Sequence, residues 1–144
     1  MIRLVLAILL LWPALVAVAA DRLAGPVQAE VLRVLDGDTV EVEARIWLGQ
    51  TLRTLVRIRG ADTPELHGKC ARERDLAVQA RAFVTGRLGG AVSLHDIARD
   101  KYGGRVTARV LDARGEDITV GLLRAGLAHP YGDGAKTGWC AGVN

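Results

Sequence analysis

The chain has 144 residues, half of them hydrophobic and 24% charged, a length that accommodates one domain. This hydrophobic content excludes a disordered polyelectrolyte. The two cysteines exclude a disulfide-dense mini-protein and a four-cysteine zinc site. The net charge of +3 is compatible with an anionic partner but far below the charge density of a histone-like binder.

The first 20 residues have the layout of a secretory signal peptide. Arg3 precedes an apolar run that ends in the small residues Ala17-Val18-Ala19-Ala20. The alternative is an uncleaved membrane anchor, because residues 4–20 give 17 uncharged residues, at the lower limit for spanning a bilayer. Pro13 and the alanine-rich end favour cleavage. We therefore expect an exported protein, secreted or periplasmic.

Cleavage would divide the chain into three segments. Residues 1–20 would be the signal peptide, residues 21–26 a loose leader and residues 27–144 a single domain with a net charge of +2. An oxidising compartment would allow Cys70 and Cys140 to pair, and a bridge closing about 70 residues contributes roughly 4 kcal/mol in the chain-entropy model. A zinc site at His67-x-x-Cys70 is the weaker alternative, because it lacks a second ligand pair.

Hydrophobic periodicity predicts a chain that is mainly β with helices (α+β). The predicted strands are residues 27–35, 39–47, 51–59, 91–97 and 105–111, and the predicted helices are residues 70–88 and 116–127. In the second strand, Val40, Val42, Ala44 and Ile46 share one face, as in a half-buried strand. Residues 60–69 form a loop, and residues 129–144 show no periodicity. This order predicts a five-stranded OB-type barrel flanked by two to three helices.

Two acidic clusters, Asp36-Gly37-Asp38-Thr39 and Asp62-Thr63-Pro64-Glu65, each lie in a predicted turn beside a strand. Either cluster taken alone is more often a turn than a site. Two nearby arginines change this interpretation, because Arg57 precedes the second cluster and Arg105 follows another turn. Carboxylates bind hard cations and arginines bind phosphates, so together they indicate a site that hydrolyses a phosphodiester.

Four segments resemble the staphylococcal nuclease (thermonuclease) family, in the family's order and at near-family spacing. They are residues 34–40, 56–65, 100–105 and 122–128. The third contains Gly103-Gly104 where the enzyme that names the family has one glycine, and matching from Arg105 onward keeps that arginine in place. The resemblance implies a five-stranded OB-fold barrel with helices, in agreement with the pattern above.

The resemblance also implies roles for individual residues. Asp38 and Asp62 would supply carboxylates, and Thr63 its backbone carbonyl, to one calcium ion. Glu65 would be the general base, and Arg57 and Arg105 would hold the phosphate and stabilise the transition state. Lys101 and Tyr102 would flank the nucleotide.

The sequence thus predicts an exported, calcium-dependent phosphodiester hydrolase that cleaves DNA and RNA at the 5′ P–O bond. We expect a monomer without stable membrane association once the signal peptide is removed. A non-catalytic OB-fold module that binds nucleic acid or another polyanion is the alternative, and an envelope-anchored structural domain is a third. The presence of every predicted catalytic and metal-binding residue is evidence against a decayed site.

Overall fold

The computed structural model describes residues 21–132 and 138–140. The predicted signal peptide, residues 1–20, lies outside the described residues, as do residues 133–137 and 141–144. The elements, in chain order, are β1 (Arg22–Leu23), β2 (Val27–Val34), β3 (Thr39–Trp47), β4 (Gln50–Ile58), β5 (Ala61–Asp62), α1 (Ala71–Arg87), β6 (Ala91–Arg99), β7 (Arg105–Leu111), α2 (Ile118–Arg124) and β8 (His129–Pro130).

Five strands close into a mixed barrel in the order β6-β2-β3-β4-β7, and a second pairing of β6 with β7 completes the circle. Four of the contacts around the barrel are antiparallel, whereas β4 and β7 pair in parallel. Together with α1 and α2, this architecture confirms the predicted α+β, OB-type fold. Parallel strands need a long crossover, and here α1 and β6 lie within the connection between β4 and β7.

Alternating side chains of β3 and β4 fill the barrel as predicted. Val40, Val42 and Val56 are fully buried, and Val84 of α1 joins the same core. Ile46 was predicted on this buried face, but its side chain is 55% exposed. The prediction fails because β3 continues beyond the end of the barrel, where period-2 alternation no longer reports burial.

Three short strands were missed by the sequence analysis. Residues 21–26 were expected to form a loose leader, yet Arg22–Leu23 pair with β6. Ala61–Asp62 and His129–Pro130 pair with each other, although they lie in a predicted loop and an aperiodic tail. Each of these strands has two residues, too few for any hydrophobic period to show.

A disulfide joins Cys70, the residue before α1, to Cys140, with Cα atoms 6.0 Å apart. Beside it, the Trp139 ring stacks on the His129 ring with centroids 3.8 Å apart. These contacts fasten residues 138–140 against α1 and β8. No helix within residues 21–132 and 138–140 has both the length and the apolar character needed to cross a bilayer.

Candidate active site

A cavity of about 460 Å³ opens where β3 begins and β4 ends. Six predicted site residues line it: Asp38, Arg57, Glu65, Lys101, Tyr102 and Arg105. The other lining residues are Asp36, Thr39, Asp100, Thr107 and Tyr131. The structure therefore brings both arginines, three residues of the first acidic cluster, one residue of the second and the third motif to one place.

The parallel pairing of β4 with β7 positions the two arginines. Arg105 lies opposite Leu55, and Arg57 lies opposite Thr107. The arginines are thus two positions apart on neighbouring strands. Because side chains alternate along a strand, both arginines project from the same face of the sheet. Guanidinium groups arranged in this way can both bind the same anionic group.

The Asp36-Gly37-Asp38 turn is packed tightly against its surroundings. The Asp38 amide donates to Asp36 Oδ1 at 3.0 Å, which closes the turn. A Cβ atom on Gly37 would lie 2.8 Å from Ala80 Cβ and 2.9 Å from Thr63 Cβ, so only glycine fits. The close approach holds the first acidic cluster against α1 and against the second acidic cluster.

Asp38 is the hub of the contacts at this end of the cavity. Arg57 Nη1 donates to Asp38 Oδ1 at 2.5 Å, and the hydroxyl of Thr39 donates to the same oxygen at 3.2 Å. The amide of Thr63 donates to Asp38 Oδ2 at 3.4 Å. Burial raises the pKa of the Asp38 carboxyl above its ordinary value, an effect that the neighbouring Arg57 charge opposes only in part.

Arg105 is held by the loop that precedes it. Its Nε donates to Asp100 Oδ2, and its Cζ lies 4.8 Å from the centroid of the Tyr102 ring. Lys101 Nζ lies 5.1 Å from the same ring. Burial works to raise the pKa of Asp100, but the Arg105 hydrogen bond and charge and two backbone amides outweigh it, so that this pKa is lowered. The loop thus accommodates the second glycine, Gly104, with a positive φ of 81°, and Arg105 still lines the cavity.

Only part of the second acidic cluster lines this cavity. Glu65 is exposed and lines the cavity, whereas Asp62 and Thr63 are 3% and 4% exposed and lie outside the lining set. Asp62 is fixed by the pairing of β5 with His129 of β8. Asp62 and Thr63 instead line a neighbouring cavity of about 420 Å³, which Glu65 also lines.

A buried glutamate supports the loop that carries Glu65. Glu73, in the first turn of α1, accepts hydrogen bonds from the amides of Glu65, at 3.4 Å, and Lys69, at 3.0 Å. A Cβ atom on Gly68 would lie 2.4 Å from the Glu73 side chain, so a larger residue at this position would displace the carboxylate that anchors the loop. Sequence analysis did not single out Glu73, because its role depends on how the loop folds back onto the helix.

The donor chemistry at Asp38, Asp62 and Thr63 fits a hard cation. Two carboxylates and a backbone carbonyl are the oxygen ligands that calcium accepts. All three residues are buried, and the Thr63 amide contacts the Asp38 carboxylate. A cation would offset the burial that raises the pKa of Asp38.

The cysteine-containing cluster does not fit a metal. Ligand atoms of Cys70, Glu73 and Cys140 lie within 4.8 Å of one another. Both sulfur atoms, however, belong to the disulfide and are not thiolates. The same bond removes the thiolate that a zinc site at His67-x-x-Cys70 would need.

Tyr131 is a lining residue that the sequence analysis did not assign to the site. Its ring centroid lies 5.5 Å from Arg57 Cζ, and its amide donates to the Gly60 carbonyl at 3.0 Å. The residue follows β8, whose pairing with β5 brings it to the cavity. No periodicity in the tail signals this contact.

Residues 55–137, more than half of the 144-residue chain, match the family model described as staphylococcal nuclease homologue. No curated protein matches the chain. The matched range includes Arg57, Glu65 and Arg105 but begins after Asp38. The hydrogen bond between Arg57 and Asp38 links the first acidic cluster to the matched part of the site.

Proposed function

The chain belongs to the staphylococcal nuclease family, and we propose that it is an exported, calcium-dependent nuclease that hydrolyses phosphodiester bonds in DNA and RNA. The fold is that of a nuclease family, and membership points to nucleic acids as substrates. The single observation that carries the proposal is the convergence of Arg57, Arg105 and Glu65 on one cavity next to the buried Asp38 carboxylate.

Arg57 and Arg105 would bind the scissile phosphate. A guanidinium offers a planar fork of N–H donors that matches phosphate oxygens, and Asp38 and Asp100 hold one end of each fork. These fixed charges would stabilise the additional negative charge that develops in the transition state. Removing one such donor typically costs about 10²- to 10³-fold in turnover.

Glu65 would act as the general base toward the attacking water. Its side chain is exposed at the cavity, and its backbone amide is anchored by the carboxylate of Glu73. A positioned base contributes about 10²- to 10⁴-fold, which is small against the barrier to phosphodiester hydrolysis. The arginines therefore supply an essential part of the acceleration. In-line attack would release the 5′ oxygen, as the family resemblance implies.

Asp38, Asp62 and the Thr63 carbonyl would hold the calcium ion. When bound, calcium would supply positive charge that polarises the phosphate. Tyr102, whose side chain is 57% exposed, would contact the nucleotide together with Lys101. Export is supported by the signal-peptide pattern of residues 1–20 and by the Cys70–Cys140 disulfide, which is typical of oxidising compartments.

The proposal is tested by incubating the full chain with denatured DNA or with RNA, in millimolar calcium or excess chelator. We expect cleavage in millimolar calcium and no cleavage in excess chelator. Glu65→Gln should retain substrate affinity and lose about 10²- to 10⁴-fold in turnover, because it removes the base and keeps the shape. Glu30→Gln, an exposed substitution on β2, is the matched control and should leave turnover unchanged.

Two results would contradict the proposal. Wild-type chain that binds nucleic acid and leaves it intact in calcium would establish the alternative, a non-catalytic binding module. Unchanged turnover in Glu65→Gln would remove this residue from the role of base.

A further inference from the structure

The β3–β4 hairpin extends beyond the barrel. Pairing of β3 with β2 ends at Ala44, and pairing of β4 with β7 begins at Leu55. Residues 45–51 therefore pair only with each other within the described part of the chain, whereas Leu52, Arg53 and Thr54 pair with residues 42–44 of β3. We call residues 45–54 the β3–β4 tip. The tip is a two-stranded ribbon that projects from the body of the domain.

Large apolar side chains are concentrated on this ribbon. Ile46, Trp47, Leu48 and Leu52 are 55%, 73%, 87% and 52% exposed. Three of them are consecutive and directly precede Gly49, whose φ is +70°, and Leu52 follows the turn. Single exposed apolar residues are normal, but a contiguous group at a projecting turn marks an interaction site.

The charged residues within the tip are both basic. Exposed Arg45 and Arg53 flank the apolar group on the two strands, and the nearest acidic residue along β3 is Glu43, which pairs opposite Arg53 where the tip joins the barrel. An apolar tip flanked by two arginines fits a lipid bilayer, whose headgroups can be anionic and whose interior is hydrocarbon. The side chain of Trp47 suits the boundary between the two, where its ring and its N–H are both satisfied.

The size and shape of the tip favour a bilayer over a protein. Four side chains of this size offer roughly 500 Å² of apolar surface, below the roughly 800 Å² per partner of a standard protein interface. We propose that the β3–β4 tip inserts reversibly into the headgroup region of an anionic lipid bilayer. The sequence analysis expected no stable membrane association, and the tip accounts for a weak, reversible one that does not involve residues 1–20.

Docking through the tip would leave the candidate active site accessible. Thr39, at the start of β3, lines the cavity, whereas Trp47 ends the same strand. An extended strand of this length spans roughly 26 Å. The cavity would thus face the aqueous side while the tip holds the bilayer. This inference goes beyond the proposed nuclease activity and does not depend on it.

The experiment measures the depth of Trp47 in vesicles made of equal parts phosphatidylcholine and phosphatidylglycerol, with brominated acyl chains as the quencher. Full chain and Trp47→Phe are compared, because Trp12 and Trp139 contribute to both spectra and cancel in the difference. We expect the Trp47 difference signal to be quenched. Leu48→Ser should raise the lipid concentration needed for half-maximal quenching about tenfold.

Arg45→Gln/Arg53→Gln should weaken quenching in the anionic vesicles, as should added salt. Val78→Ser, an exposed apolar substitution on α1, should have no effect. Absence of quenching of the Trp47 difference signal would overturn the proposal. Equal quenching in Leu48→Ser would overturn it too, because the apolar residues 1–20 of the full chain would then account for binding to the vesicles. Concentration-dependent dimerisation that is lost in Leu48→Ser would also overturn it, since a second copy would then cover the tip.

Discussion

Arg57 Nη1 donates a 2.5 Å hydrogen bond to Asp38 Oδ1, and the two side chains are only 18% and 7% exposed. This contact joins the proposed phosphate ligand to the proposed calcium ligand. Each charge is largely removed from water and depends on the other. A change at either residue should therefore affect both chemistry and stability.

Arg57→Gln is expected to lower kcat/KM about 10²- to 10³-fold, because a charge fixed at the phosphate is lost. The free energy of unfolding should fall by about 1–3 kcal/mol, since the buried Asp38 carboxylate loses its charged partner. Steady-state kinetics and urea unfolding measure the two effects. Arg53→Gln, exposed on the same strand, is the control for loss of a positive charge. Equal kinetic losses in both variants would argue against a specific contact of Arg57 with phosphate.

Calcium should raise the melting temperature of the chain, because a ligand that binds only the folded state stabilises it. At 100 times the dissociation constant the gain is about 2.7 kcal/mol. Asp62→Asn should abolish the calcium-dependent part of the shift, measured by scanning calorimetry with and without chelator. Asp75→Asn, on the exposed face of α1, should keep the shift. An unchanged shift in Asp62→Asn would exclude this carboxylate from the calcium site.

Reduction of the Cys70–Cys140 disulfide should lower the free energy of unfolding by about 4 kcal/mol, because the bond closes a sequence separation of 70 residues. Turnover should fall as well, because the bond lies at the start of α1, where Glu73 anchors the Glu65 loop. Urea unfolding and activity are compared with and without dithiothreitol. Cys70→Ser/Cys140→Ser should have the stability and activity of the reduced protein, and dithiothreitol should change neither. Full activity after reduction would limit the bond to a role in stability.

Asp112 should make stability depend on acid pH. Its carboxylate accepts hydrogen bonds from the amides of Glu116 and Arg114 and from Arg87, which lower its pKa in the folded state. A lowered folded pKa means that the stabilisation is complete above the unfolded pKa of about 3.9 and is lost as pH falls through the folded pKa.

Asp112→Asn should therefore be less stable than the wild type at neutral pH, and the difference should shrink as pH falls below about 4. Urea unfolding across this range measures the difference. Asp75→Asn is the control for removal of one negative charge. A gap that stays constant down to the lowest pH would show that ionisation of Asp112 does not stabilise the fold.

The sequence predicted those parts of the fold that repeat a pattern. Residues 39–47 and 105–111 were expected as strands and form β3 and β7 with the same bounds. Period-2 alternation identifies such strands because one face packs into the barrel. The face of Ile46 was predicted wrongly, since alternation contains no information on where a barrel ends. The two-residue strands were missed for want of any period.

The candidate site was predictable to the extent that its residues stand in short motifs. Asp38, Arg57, Glu65 and Arg105 were selected by their charge and company, and the structure brings them to one cavity. Glu73 and Tyr131 were not selected, because they reach the site through loop and tail contacts between distant parts of the chain. Such residues come together only in the folded tertiary structure.

The parallel pairing of β4 and β7 has a consequence for folding. Arg57 and Arg105 become neighbours only when β4 pairs with β7, which places Leu55 opposite Arg105. These two residues are 50 positions apart, and α1 and β6 lie between them in the chain. Distant pairings of this kind are slow to form. A chain that is still unfolded thus carries no assembled pair of arginines, and catalytic competence should appear together with closure of the barrel and vanish together with it.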